Sequence, residues 1–334
     1  MLANSFKILV MALCLVFLLV GLFQMRDDFS FSSDESIRVV LAFNPRHLDT
    51  CESAIAGFES VLDEEGVSHT RLDQYSLLNA NPSELVKTVP VIILPDSACK
   101  IMNSSFEPWF RQYIESGGNL LLTFDSGVQN LKGAYLPNSF FSNLAGIQHI
   151  HYYASSEKSY ASGVLQFVDK ESASRCQVPM GKLDENNIIN GYGYGDLTYP
   201  AARSKLIPDS NTEIFAHMVT DDGEKFPAIT VRELGKGRLM YVNLPLGYLK
   251  THGDDLLLRS ICRTLVFDYA AVPHLLSTPG GIGGVVMNWH HDSNGDWQFM
   301  EQMEETRLLR DELEYSMHIT AGDSRDVKGD MLGF

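Results

Sequence analysis

The feature that most restricts the fold is an alternation, between Ile37 and Phe124, of short apolar runs with segments that carry an apolar stripe at helical spacing. Residues 37–43 read as a strand, and the loop Asn44-Pro45-Arg46-His47 follows it. A helix is expected over about 51–65, where Ile55, Phe58 and Leu62 recur three and four residues apart and Gly66 closes the segment. Residues 69–72 read as a short strand, and 89–94 as a β-branched strand stopped by Pro95. A second helix over 106–116 places Phe106, Phe110 and Ile114 on one face, and after Gly117-Gly118 a strand is expected over 119–124. Apolar strands alternating with one-faced helices imply an α/β fold with a parallel sheet covered on both sides. Ligands of such sheets meet the carboxyl ends of the strands, which here means the loops 44–50, 95–97 and 125–131.

Two further strands, 226–231 and 239–243, are joined through a tight turn at 233–238. Its Gly235-Lys236-Gly237 is a hairpin turn and not a dinucleotide loop, because no helix follows it. A helix over 254–267, with Leu257, Leu258, Ile261 and Leu265 on one stripe, returns the chain to the sheet, so this domain spans about 36–270. Between about 149 and 208 the periodicity fades into a polar insertion. His149 and His151 would share a face on a strand, although two histidines alone make no metal site. The glycines and tyrosines alternating over 191–195 read as a surface loop whose rings can stack on a sugar.

Leu94-Pro95-Asp96 and the run from Gly117 to Gln129 resemble the class I glutamine-amidotransferase-like superfamily, which implies a flavodoxin-like parallel sheet. The family's nucleophile elbow reads Cys-x-Gly-x-Gln, and aligning Gly127 and Gln129 puts Asp125 where the cysteine belongs. With no thiol there and no histidine specified beside it, amidotransfer is not expected. Asp125 and Ser126 either cap the following segment while Gln129 packs, or line a binding pocket.

Residues 8–25, between Lys7 and Arg26, carry no charge. As a helix they would span about 27 Å, close to the hydrocarbon core of a bilayer. No small-x-small cleavage site precedes Asp28, so the run is expected to stay as a transmembrane anchor, with residues 1–28 forming anchor and flanks and 29–35 a spacer. Lys7 and the α-amine outweigh Arg26, which favours a cytoplasmic amino terminus and a periplasmic or extracellular soluble region. The balance of 26 basic against 42 acidic residues, a net charge of −16, argues against a nucleic-acid partner. Cys14, Cys51, Cys99, Cys176 and Cys262 lack the spacing of a zinc or redox site.

After Pro273 a second region begins. Val285-Val286-Met287 forms the body of a strand, and Trp289, His290, His291, Asp292 and Ser293 gather at its carboxyl end. If the strand continues, His290 and Asp292 share a face and can ligate a divalent metal or pair as base and orienting acid. A helix over 297–313 and a strand over 314–322 follow. This region, 273–334, resembles the start of the polysaccharide deacetylase superfamily, a metal-dependent β/α barrel whose first motif is Thr-Phe-Asp-Asp-Gly. The resemblance places Asp292 on the metal-binding aspartate, with zinc a candidate metal, and His291 on the general base, with His290 as the alternative base. The family's His-x-x-x-His motif does not follow Gly322, since His318 is the last histidine. The expectation is therefore an incomplete, deacetylase-like region on a membrane-anchored protein, implying hydrolysis of N-acetyl groups on a cell-surface or secreted polysaccharide but little activity by itself. The alternative is a non-enzymatic module that binds glycan or a protein partner through the loops at the carboxyl edge of the first sheet.

Overall fold

The structure, a computed structural model, describes residues 37–151, 158–178, 191–193, 197, 199–273, 288–291, 302, 305 and 316–319. The anchor at 8–25, the spacer, most of the helix at 297–313, and Asp292 lie outside these residues. Among the described residues no helix is long and apolar enough to cross a membrane. The chain divides into two compact units, Met1–His274 and Leu275–Phe334.

The first unit is mixed α/β. Its strands are β1 (Val39–Phe43), β2 (His69–Asp73), β3 (Val91–Leu94), β4 (Asn119–Thr123), β5 (Ile147–His149), β6 (Tyr160–Phe167), β7 (Gly191–Tyr192), β8 (Tyr199–Ala202), β9 (Ser204–Leu206), β10 (Glu213–Val219), β11 (Lys225–Leu234) and β12 (Gly237–Val242). Its helices are α1 (Leu48–Glu64), α2 (Gln74–Asn79), α3 (Pro82–Leu85), α4 (Phe106–Glu115), α5 (Ser142–Ala145), α6 (Lys170–Arg175), α7 (Leu246–Thr251) and α8 (Leu256–Arg263). The main sheet runs β2-β1-β3-β4-β12-β11-β10-β6-β7. The first five of these strands are parallel to one another.

Successive residues of the parallel strands point to opposite faces, and both faces are covered. Val39, Leu41, Val91, Ile93 and Leu121 pack with Ile55 and Phe58 of α1 and with Leu257 and Ile261 of α8. Val40, Ala42, Ile92, Leu94, Leu120 and Leu122 pack on the other face with Phe106, Phe110 and Ile114 of α4. That two-sided burial explains why these strands read as unbroken apolar runs.

The parallel sheet carries an antiparallel extension that begins at the hairpin expected over 233–238. The hairpin at Gly235 turns β11 antiparallel to β12, and β10, β6 and β7 continue in antiparallel pairing. Gly235 has φ +62, as a two-residue hairpin demands. Gly237 is fixed by closeness instead: a Cβ there would lie 2.0 Å from the Gly118 carbonyl oxygen, where β12 slides under the end of α4. The polar insertion also forms strands rather than loop, with β6 bonded to β10, β7 and β8. The final helix expected over 254–267 is α8 followed by a π-helical turn at Thr264–Tyr269.

In the second unit, β13 (Asn288–His291) and β14 (Ser316–Ile319) pair in parallel.

Candidate functional site

The chain leaves β1 toward β2 on one side, and β3 adds on the other. In open α/β sheets this reversal opens a crevice at the carboxyl ends of the two central strands. A cavity of about 170 Å³ lies there, lined by Asn44 and His47 from the loop after β1, by Thr50 in the first turn of α1, and by Ser97, Lys100 and Gln129 from the loops after β3 and β4. All three loops singled out from the sequence thus reach one cavity.

Its walls are built by side-chain bonds to backbone. Asn44 is buried, accepts the Arg46 N–H at 3.0 Å, and donates to the Ile101 carbonyl at 3.1 Å, which ties the loop after β1 to the loop after β3. α1 then starts at Leu48 with His47 in the N-cap position, and the His47 side chain makes no capping bond. Thr50 donates its hydroxyl to the His47 carbonyl at 2.8 Å.

Across the cavity Ser97 holds a left-handed backbone, φ +65, pinned by its N–H donating to Asp125 Oδ1 at 2.8 Å. Lys100 Nζ stands 3.3 Å from Asp125 Oδ2, the ammonium side chain 32% exposed and the carboxylate 3%. Burial opposes the Lys100 charge, but Asp125 and Tyr135 beside it outweigh that and hold its pKa above the ordinary lysine value. Next to this pair, Asp96 is buried and accepts the N–H groups of Gly247 at 2.7 Å and Tyr248 at 3.2 Å, capping the start of α7. Burial, with Asp125 adding repulsion, pushes the Asp96 carboxyl up to about 6.

The elbow reading changes at the level of the backbone. The strained residue after β4 is Phe124, φ +36, one position before Asp125. The Asp125 carboxylate is engaged by Ser97 and Lys100 and presents no activated nucleophile. Ser126 does turn the chain, its hydroxyl donating to the Thr123 carbonyl at 2.8 Å, whereas Gln129 lines the cavity rather than only packing. The four described cysteines are all buried, and Cys51, at the start of α1, is pushed up to about 11, chiefly by that burial.

Other sequence candidates separate. His149 ends β5, buried, with Nε2 3.1 Å from the Tyr241 hydroxyl, while His151 lies beyond the strand with φ +53, so the two do not share a strand face. Tyr192, expected in a surface loop, is 1% exposed. Its hydroxyl donates to Asp254 Oδ1 at 2.5 Å, and Tyr199 donates to Oδ2 at 2.7 Å. In the second unit the register sets His290 opposite His318 and His291 opposite Ile319. Among the described residues no group of three or more His, Cys, Asp or Glu side chains is placed to hold a metal.

No family model and no curated protein matches the chain. Solved structures do resemble it. A β-galactosidase from Bacillus circulans sp. alkalophilus is similar at 16% identity and TM-score 0.49, over 73% of this chain and 32% of that one. A carbohydrate deacetylase, Agd3, is similar at 11% identity and TM-score 0.49, over 85% of this chain and 42% of that one. A ThuA-like protein from Bacteroides uniformis is similar at 14% identity and TM-score 0.47, over 70% of this chain and 93% of that one. The chain spans about a third of the length of the β-galactosidases it matches. At these scores the likenesses carry no statement about activity, and the amidotransferase resemblance finds no support among them.

Sequence reasoning missed Lys100. The residue lies past the expected loop, and only its pairing with Asp125, 25 positions along the chain, marks it.

Proposed function

We propose that this is a carbohydrate-directed protein whose α/β unit holds a saccharide in the cavity at the carboxyl ends of β1 and β3. The observation that supports this best is the cavity itself, where Thr50, Ser97, Gln129 and Lys100 bring hydroxyl, amide and ammonium groups around about 170 Å³. So many directional groups in so small a space suit a polyhydroxylated ligand of about one sugar ring. In the same proposal residues 8–25 anchor the chain in a membrane, and the soluble region faces cell-surface or secreted polysaccharide on the periplasmic or extracellular side; a protein partner at the same sheet edge is the alternative.

Calorimetric titration of the purified full chain with neutral and acidic monosaccharides and short oligosaccharides tests it. Saturable one-site binding is expected with a Kd of about 0.1–1 mM, weakened roughly fivefold or more in Gln129→Ala at little cost in thermal stability. A folded chain that binds no saccharide saturably would contradict the proposal.

A second reading is favoured by the parallel pairing of β13 with β14, the arrangement in which a β/α hydrolase displays reacting groups at strand ends. Here Asp292 would hold a divalent metal, and His291, or His290, would take the proton from the attacking water. When bound, zinc would polarise the acetyl carbonyl of an N-acetylated sugar. Imidazoles and a carboxylate suit zinc chemically. Because Asp292 alone matches the three ligands of the deacetylase family, weak binding is expected, about tenfold tighter in the wild type than in Asp292→Ala by zinc titration. Identical isotherms at millimolar zinc would remove this reading.

A further inference from the structure

We infer that the ligand of the cavity at β1 and β3 is an acidic sugar, a single uronate whose carboxylate lies against the Lys100 ammonium and the first turn of α1. The inference rests on the saccharide reading above and narrows its chemistry.

The chain carries a net charge of −16, yet among the described residues this cavity is lined by Lys100 and His47 and by no carboxylate. Asp125 is the acidic side chain paired with Lys100, and it lies beneath the ammonium: it is 3% exposed, whereas Lys100 is 32% exposed. Asp125 is also divided between two donors, the Ser97 N–H and Lys100. An ammonium has three hydrogens to place. Asp125 Oδ2 lies 3.3 Å from the nitrogen, and the Tyr135 ring centroid 5.6 Å from it. Lys100 also lines the cavity and is 32% exposed, so an oxygen of a bound ligand can accept from it.

The opposite wall adds to the same polarity. A 3-10 turn at Pro45–His47, capped by the Asn44 side chain, leads directly into the 17-residue α1, where His47 makes no side-chain capping bond. A helix start of this kind carries partial positive charge and accepts anions. Asp49, in the first turn, is exposed and does not line the cavity. Lys100 and the α1 start therefore face one space from two sides. A neutral sugar would fill that space and meet the ammonium with a hydroxyl, while a carboxylate would complete a charge-assisted bond. The ring hydroxyls would then meet Thr50, Ser97 and Gln129.

Glucuronate and glucose differ only at the sixth carbon, which makes them the decisive pair of probes for calorimetry on the full chain. The wild type is expected to bind glucuronate at least about tenfold more tightly than glucose. Lys100→Gln should reduce that preference to within about twofold, and Lys100→Arg should retain most of it. Asp125→Asn keeps an oxygen for the Ser97 N–H but removes the charge competing for Lys100, so glucuronate should bind it a few-fold more tightly than the wild type. Thermal melts of each variant establish that it is folded.

Equal affinity for glucose and glucuronate in the wild type would overturn the uronate inference and leave saccharide binding standing. Inorganic phosphate binding as tightly as glucuronate would also overturn it, by showing a general oxyanion site. Binding of neither sugar would overturn both.

Discussion

Asp254→Ala is expected to lower the free energy of unfolding by about 3–5 kcal/mol. Asp254 is fully buried and accepts the hydroxyls of both Tyr192 and Tyr199, whose rings meet edge to face with centroids 6.1 Å apart. Removing the carboxylate strands two buried phenols at once, at about 1–3 kcal/mol each. The effect should be concentrated in β6, β7 and β8, because Tyr192 lies in β7 and Tyr199 in β8, both of which pair with β6. Asp254→Asn retains one acceptor oxygen and should lose roughly half as much. Denaturant unfolding measures both, and a loss below about 1 kcal/mol in Asp254→Ala would show that the hydroxyls find other partners.

The second large effect depends on pH. Burial raises the Asp96 carboxyl from 3.8 to about 6. Between those values the folded chain keeps a proton that the unfolded chain has released, so this contribution is full below pH 3.8 and is lost as pH rises through about 6. The shift corresponds to about 3 kcal/mol. His149 works the other way. Burial lowers its imidazole from 6.5 to about 4, so its contribution is present above pH 6.5 and is lost as pH falls through about 4. The two nearly cancel in the wild type across the same window. Asp96→Asn removes one of them, and the variant should lose about 3 kcal/mol relative to the wild type as pH falls from 7 to 4. A stability difference that stays constant over that range would show that Asp96 titrates normally.

The parallel half of the fold is written locally. Val39 to Ala42, Val91 to Leu94 and Leu120 to Leu122 are apolar on both faces, and Pro95 and the Gly117-Gly118 pair punctuate them, so strand identity follows from short windows. The antiparallel half is not written that way. Tyr160, Ala161, Ser162 and Gly163 open β6 without an apolar run, because this edge is held by β8 and β10 rather than by deep burial on both faces. Tyr192 looked like loop material since its partner, Asp254, is 62 positions away. α7 escaped notice for the same reason: its N-terminal groups are satisfied by Asp96, 151 positions earlier. The candidate cavity was half legible. Its loops follow from strand order and the rule of carboxyl ends, whereas the Lys100–Asp125 pair needs the two loops brought together in space.

Hydrogen–deuterium exchange of the full chain, with and without a saturating amount of the tightest-binding saccharide, tests the location of the site most directly. A sugar held at the carboxyl ends of β1 and β3 should slow exchange in residues 44–51 and 96–101 and leave β6 and β11 unchanged. Saturable binding that leaves residues 44–51 and 96–101 unprotected, or that protects only the antiparallel extension, would contradict the assignment of this cavity as the functional site.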